Sequence, residues 1–419
     1  MTTDKVSHVP GAAAFRYRDF RLFQLSRVFI IVALEMQSVA VGWQVYATTQ
    51  RALDLGWVGL AQFLPSILLF LVSGHVADRV NRRQLMAWCY AGFAICSALL
   101  VAIAATHTTR VAPIYAVLVL LGVVRSFNGP VTRAILPQLV PEEHFQSAVA
   151  WTSMVFQGAT ILGPAIGGLA YGLFRGPIVV YALAVAASLA AAGCTVMIRA
   201  DQPPRRHEPA TLATFFVGVR YIWAKKLILG AISLDLFAVL LGGAVALLPV
   251  YAKDILRIGA LGLGLLRSAP AVGAAGMAIL LAFRPLRRRA GATMLWCVAG
   301  FGACTIVFGA SHSLFVSLAA LVLVGATDMV SVVVRGTLIQ VATPDEMRGR
   351  VNAVDMIFIG ASNQLGQFES GVTAQWFGAV PAVILGGVGT LAVTALWAWW
   401  FPELRQAEQL TSSEQGTAT

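Results

Sequence analysis

Among the charged side chains within long apolar stretches of the chain, six are candidates for chemistry. They are Glu35, Arg125, Asp235, Arg267, Asp328 and Glu369. A carboxyl group in apolar surroundings favours its neutral form, so it can take up and release a proton. A guanidinium keeps its charge there and needs a counter-ion or an anionic ligand. These residue types predict handling of protons or of a charged ligand, and the alternative for each is a fixed structural ion pair.

The position of each acid decides its rank as a proton carrier. Glu35 ranks first because it lies almost midway along the first apolar stretch, and Glu369 follows, within a glycine-bearing stretch. Asp235 and Asp328 lie nearer the ends of theirs, and Asp355 is expected at the membrane interface. No span shows a histidine-rich metal cluster or an apposed nucleophile and histidine, so the sequence predicts neither an enzyme nor a metal or cofactor site.

The stretches that hold these residues are long enough to cross a membrane. The composition is 58% hydrophobic and only 12% charged, with a mean hydropathy of +0.77. A soluble domain of this length needs more charge on its surface. Runs of about 20 apolar residues predict twelve transmembrane helices. They are Leu22–Tyr46, Leu53–Val76, Leu85–Ala105, Ala112–Asn128, Ser147–Leu173, Pro177–Ile198, Leu227–Tyr251, Leu261–Phe283, Gly291–Gly309, Leu314–Val334, Val351–Phe377 and Val380–Phe401.

The basic residues predict the topology. With the N-terminus in the cytoplasm, 23 of the 30 lysines and arginines lie on the cytoplasmic side, and an even number of spans puts both termini there. The net charge of +11 therefore reflects topology and anionic lipid, not nucleic-acid binding. The first apolar run is too long for a cleaved signal peptide, so we expect it to be retained as a span.

Internal repetition divides the spans into two sets of six. Trp296-Cys297-x-Ala299-Gly300-Phe301-x-x-Cys304 repeats a third-span pattern that lies 208 residues earlier. Similar offsets relate Val250-Tyr251-Ala252 to Val45-Tyr46-Ala47, and Gly366 and Gly371 to Gly163 and Gly168. The chain is thus expected to be an all-α membrane protein of two six-helix repeats, and parallel repeats of this kind place a cavity between the halves. The predicted parts are a cytoplasmic tail (1–21), a first bundle (22–198), a cytoplasmic linker with an amphipathic helix (199–226), a second bundle (227–401) and a second cytoplasmic tail (402–419).

A glycine- and arginine-rich segment follows the second apolar stretch, and we expect it to form a short turn between two helices. Its main residues are Gly74, Asp78, Arg79, Arg82 and Arg83. Glycine would let neighbouring backbones approach, and Asp78 could cap a helix or pair with an arginine. The corresponding loop after the eighth span, residues 284–289, keeps arginines but has no counterpart of Asp78.

The pattern G-x-x-x-D-R-x-x-R-R over residues 74–83 resembles the loop signature of the major facilitator superfamily of transporters. Arg125-x-x-Asn128-Gly129 resembles the fourth-span pattern of that superfamily, with Asn in place of the usual Gln. Gly163, Pro164, Gly167 and Gly168 resemble the fifth-helix motif of proton-coupled antiporters, although Ala159 stands where that motif begins with glycine. The run from Gln340 to Asn352 is similar to the branch of enterobactin exporters and macrolide efflux proteins.

The resemblance implies the major facilitator fold and secondary active transport by alternating access. It implies a latch for the loop around Asp78 and a part in proton transfer for Arg125, whose alternative is an ion pair with Asp328. We expect export of a small, largely apolar, drug- or siderophore-like compound by proton antiport. The alternative is uptake of a metabolite or sugar by symport or facilitated diffusion. The expected partners are the substrate, protons and lipid, with no nucleic acid, for a monomer in the inner membrane of the cell.

Overall fold

Every element in residues 13–199, 212–284 and 289–407, which the computed structural model describes, is helical. The α-helices are α1 Arg18–Thr49, α2 Ala52–Leu68, α3 Phe70–Arg79, α4 Arg82–Ala105, α5 Ala112–Ile135, α6 Phe145–Leu173, α7 Pro177–Val196, α8 Leu212–Ala224, α9 Lys226–Leu241, α10 Leu248–Val250, α11 Gly259–Phe283, α12 Ala290–Ala310, α13 Leu314–Ala342, α14 Asp345–Phe377, α15 Ala379–Trp400 and α16 Pro402–Gln406. Short 3-10 and π-helical turns join several of them. We call α1–α7 the first half and α9–α16 the second half.

Ten helices in the described residues are long and apolar enough to cross a membrane. The other two expected spans are not among these ten helices, for separate reasons. The second is interrupted at Leu69, which leaves 17 residues in α2 and ten in α3. The eleventh, α14, has 33 residues but a lower hydropathy, because polar side chains such as Asn363, Gln364, Gln367 and Glu369 interrupt its apolar positions. The structure therefore supports a multispanning all-α protein, and the count of twelve stays a prediction.

The glycine- and arginine-rich segment is mostly helix, so the expected turn over all its residues is wrong. Residues 74–79 complete α3, where the Val80 amide still donates to the Val76 carbonyl at 3.0 Å. Only Val80 and Asn81 lie between α3 and α4, and the Asn81 side chain caps α4 by accepting from the Gln84 amide at 3.2 Å. Gly74 has no heavy atom of another part of the described chain within 4 Å of its Cβ position, so it does not serve close packing.

Two seams join the halves, α6 along α11 and α2 along α14. In the first, a Cβ on Gly168 would lie 2.8 Å from the Gly264 Cα. In the second, a Cβ on Gly371 would lie 3.0 Å from the Gly56 Cα. Glycine is needed at both seams because the two backbones approach too closely for a side chain. Gly168 and Gly371 are also equivalent in the sequence repeat, so the same device closes both seams.

The two ends of the bundle carry different contacts. The end that carries the first and last described residues, here the terminal face, includes Arg18, whose Nη1 donates to the Met197 carbonyl at 3.1 Å. The seam glycines lie towards the other end, the opposite face. There the Tyr46 hydroxyl of the first half also donates to the Asp254 carboxylate of the second half. These contacts join the halves at the opposite face.

The predicted linker and tails are described only in part. Residues 1–12, 200–211 and 408–419 lie outside the described residues. The helix expected after the linker is α8, in which Phe216 and Trp223 are exposed and Gly218 lies against the backbone of Arg350. The division of the chain into two bundles, a linker and two tails remains a prediction.

Candidate functional site

Two cavities inside the bundle bring five of the six predicted charged residues together in two groups. One, of about 190 Å³, is the polar cavity. Its lining comes from α1, α2, α5, α11 and α14 and includes Leu34, Glu35, Gln37, Ser38, Val41, Val58, Gln62, Leu118, Leu121, Arg125, Arg267, Gln364 and Gln367. The other, of about 210 Å³, is the acidic cavity. Its described lining comes from the second half and includes Asp235, Val239, Pro270, Phe301, Thr305, Phe308, Asp328, Val332, Arg335, Ile359, Asn363 and Gln367.

Arg267 ties the two halves together inside the polar cavity. Its Nη2 donates to the Ser38 hydroxyl of α1 at 2.7 Å, and its Nε lies 4.0 Å from the Glu35 carboxylate. A separation of 4.0 Å is long for a charge-assisted hydrogen bond. The pair is therefore a loose one, and the Arg267 guanidinium keeps donors that face the cavity.

Arg125 enters the same cavity from α5. Its Nη1 donates to the Gln62 amide oxygen at 3.4 Å, and Glu35 and Arg267 are both within electrostatic range of it. Among the described residues that line this cavity, Glu35 is the only acid. The polar cavity thus carries two positive charges against one negative charge.

The acidic cavity has the opposite balance. Arg335 of α13 is buried and forms ion pairs with Asp235 of α9 and, at 3.5 Å, with Asp355 of α14. Asp328 lies two turns earlier on α13 and also lines the cavity. Within the described chain its carboxyl makes no hydrogen bond or ion pair, although Asp235 and Arg335 are within electrostatic range. Three carboxyl groups therefore share one guanidinium.

The structure adds to three of the expectations from sequence. Arg125 and Asp328 line different cavities, so the ion pair suggested for them is not formed. Asp355 is paired with Arg335 and partly buried, and its place at the membrane interface stays a prediction. Glu369 lines neither cavity, and its carboxylate accepts a hydrogen bond from the Thr373 hydroxyl on its own helix at 2.7 Å.

Arg335 was missed because the predicted tenth span ends at Val334, whereas α13 continues to Ala342. The sequence did carry a signal, because Arg335 repeats Arg133 at an offset of 202 residues. Among the described residues, no acid group forms an ion pair with Arg133. It lies exposed near the terminal face and its guanidinium contacts the Met356 sulfur of the other half.

The fifth-helix motif lies on α6 and packs against the polar cavity. A Cβ on Gly163 would lie 2.5 Å from the Glu35 Cβ, and one on Gly167 would lie 2.7 Å from the Met36 Cα. One turn from these, the Ser268 hydroxyl next to Arg267 donates to the Ile161 carbonyl at 2.7 Å. Helix α6, with Pro164 buried between its glycines, therefore holds the backbones that carry Glu35 and Arg267.

The arginines after α3 anchor helix ends at the terminal face. Arg82 is buried and donates to the Ala134 carbonyl at 3.1 Å, and Arg83 donates to the Ile198 carbonyl at 2.7 Å. Arg79 is exposed. The Asp78 backbone belongs to α3, and its side chain lies outside what the structure describes.

Sequence comparison finds one family across nearly the whole chain. The model of a family described as "Transmembrane secretion effector" matches residues 10–417. The enterobactin exporter EntS of Shigella boydii serotype 18 is 27% identical over 383 residues, which cover 89% of this chain and 85% of that protein. EntS of Escherichia coli O1:K1 / APEC matches with the same identity and coverage.

Solved structures of transporters share the fold. A crystal structure of the nucleoside transporter NupG has a TM-score of 0.73 at 11% identity, covering 92% of this chain and 100% of that one. A bacterial homolog to the human lysosomal transporter Spinster, inward-facing and unoccupied, has a TM-score of 0.72 at 15% identity, covering 93% and 98%. At these identities the likeness concerns the fold alone.

Proposed function

The chain belongs to the transmembrane secretion effector family of major facilitator transporters, and from that membership we propose that it exports a small organic compound by proton antiport. The likeness to enterobactin exporters supports a siderophore- or drug-like substrate with a largely apolar body, and an inner-membrane location. The basic residues support a cytoplasmic position for the terminal face.

Alternating access between the halves is the mechanism that the seams support. The contacts at Gly168, Gly371 and Tyr46 join the halves at the opposite face, and the polar cavity lies between the halves. Rocking of one half against the other would release these contacts and open the cavity to the other side. Closely packed glycine seams suit such a movement because they carry few interlocking side chains.

The observation that carries the proton proposal is the shortage of positive charge in the acidic cavity. Arg335 compensates Asp235 and Asp355, which leaves the third carboxyl, Asp328, without a partner among the described residues. A buried carboxylate without compensation is costly, so a proton on this group lowers the free energy of the cluster. We assign the proton to the cluster as a unit, with Asp328 as the group that gains and loses it.

Glu35, which ranked first from sequence, lies beside two arginines that compensate its charge. This surrounding supports a role as counter-ion. Glu369 has no basic neighbour among its described contacts and remains a second candidate for the proton.

The test is gradient-driven accumulation in proteoliposomes of the full chain, with a substrate that a growth-inhibition panel has identified. Asp328→Asn keeps the shape of the side chain but cannot release a proton. We expect it to exchange substrate for substrate and to fail to accumulate substrate under an imposed pH gradient. Glu35→Gln and Glu369→Gln are measured in parallel. Asp345→Asn, at an exposed site on α14, is the matched control and should accumulate substrate as the wild type does. Normal accumulation by Asp328→Asn would remove this group from the proton path.

A further inference from the structure

We infer that the transported compound is an organic anion, and that its anionic group binds between Arg125 and Arg267 in the polar cavity. This inference rests on the proposed transport function and names the charge of its substrate. It starts from the charge balance of the cavity, where two guanidinium groups face one carboxylate. An anion brings that balance to zero, whereas a cation would add to an excess that is already positive.

The hydrogen bonds of the two arginines support this assignment. In the described residues, Arg125 makes one hydrogen bond, at 3.4 Å to Gln62, and Arg267 makes one, at 2.7 Å to Ser38. The other N–H groups of both guanidiniums remain available to a ligand. A planar guanidinium matches a carboxylate or phosphate with two parallel hydrogen bonds, so these are the anionic groups that fit best.

The rest of the cavity suits the remainder of such a molecule. Val58, Leu118 and Leu121 supply apolar wall on the side of α2 and α5. Gln364 and Gln367 come from α14 and offer neutral donors and acceptors. The ligand class is therefore an amphipathic anion, with an apolar body and one carboxylate-like or phosphate-like head.

Separate cavities make an anionic substrate compatible with proton antiport. A proton bound to Glu35 would raise the positive charge around Arg125 and Arg267, and would therefore favour an anion. Binding of the two ligands would then be cooperative, as symport requires. A proton in the acidic cavity avoids this conflict, because Asp328 does not line the polar cavity and, among the described residues, only Gln367 borders both cavities.

Glu35 has a defined part in this arrangement, since its carboxylate competes with the ligand for Arg267. Removing that charge should strengthen anion binding. A gain in anion affinity cannot result from misfolding, because a misfolded variant loses affinity.

The experiment measures binding of three probes with the same aromatic body to the purified full chain in detergent. The probes are 1-naphthoate, neutral 1-naphthamide and cationic 1-naphthylmethylammonium. We expect the wild type to prefer naphthoate, and Arg125→Gln and Arg267→Gln each to lose at least about tenfold in naphthoate affinity. We expect Glu35→Gln to bind naphthoate roughly threefold to tenfold more tightly. Arg110→Gln, on the connection between α4 and α5, is the matched control and should bind as the wild type does.

The inference is overturned if the neutral or cationic probe binds as tightly as naphthoate, or if Glu35→Gln binds naphthoate no better than the wild type. A loss of naphthoate affinity in Arg125→Gln without a gain of naphthoate affinity in Glu35→Gln would likewise overturn it. Binding requires no proton gradient, so this result is independent of the flux assay. A chain that binds naphthoate as expected but shows no proton-coupled flux would keep the inference and contradict the proposed antiport.

Discussion

Arg335 holds together three parts of the second half, because it lies on α13 and pairs with aspartates on α9 and α14. The side chains of Arg335 and Asp235 are almost fully buried, at 3% and 7% exposure. Removing one partner of such a cluster leaves uncompensated charge in a poorly hydrated interior. The arginine therefore has a structural role in addition to any effect on the proton site.

We expect Arg335→Met to lower the free energy of unfolding by about 3–5 kcal/mol, because Asp235 and Asp355 would remain buried without their partner. Thermal unfolding of the purified protein in detergent measures the change. The matched control is Arg51→Met, which removes the ion pair between the exposed Arg51 and Asp54 and should change stability by about 1 kcal/mol or less. Equal melting temperatures for Arg335→Met and the wild type would show that the cluster does not stabilise the fold.

Sequence alone identified most of the charged residues of both cavities, because a charge within an apolar run is easily recognised. It could not group them, since Glu35 and Arg267 are 232 positions apart and meet only through the packing of α1 with α11. It also missed Arg335, where hydropathy ends a span before the helix ends. A charged residue next to the predicted end of a span is easily assigned to a loop when its ion pairs are not known.

Helix α6 is the element that links the seam to the polar cavity. Its glycines pack on α1 at Glu35 and Met36 and on α11 at Gly264, so one helix contacts both halves. Sequence repetition identified Gly168 and Gly371 as equivalent positions, and in the structure each packs closely at its own seam. It did not predict that the loop-signature segment is largely helix, since glycine and arginine there suggested a turn.

We expect Gly168→Ala to destabilise the protein by about 1–3 kcal/mol and to slow transport, because its Cβ would lie 2.6 Å from the Ala260 carbonyl oxygen and 2.8 Å from the Gly264 Cα. Gly158→Ala is a matched control on the same helix, where a Cβ meets no heavy atom within 4 Å. Melting temperature and flux are measured for both variants. If the two variants behave alike, the seam does not depend on the absence of a side chain at position 168.

The whole molecule combines two nearly equivalent seams with two cavities of unlike charge. The equivalence follows from the sequence repeat, and it provides a symmetric joint about which the halves can rock. The difference in charge arises where the repeat has diverged, as in Asp328, which stands close to the equivalent of Arg125. A duplicated scaffold can in this way hold an anion site and a proton site separately.

The direction of proton movement during substrate flow tests the central proposal most directly. Proteoliposomes of the wild-type chain are loaded with the substrate and with a pH-sensitive dye, and are diluted into substrate-free buffer with no initial pH gradient. Antiport predicts that substrate efflux acidifies the vesicle interior, because protons enter as the substrate leaves, and that Asp328→Asn abolishes this acidification. Alkalinisation of the interior in step with efflux would indicate symport, and efflux without any pH change would indicate facilitated diffusion. Either result would contradict proton-coupled export.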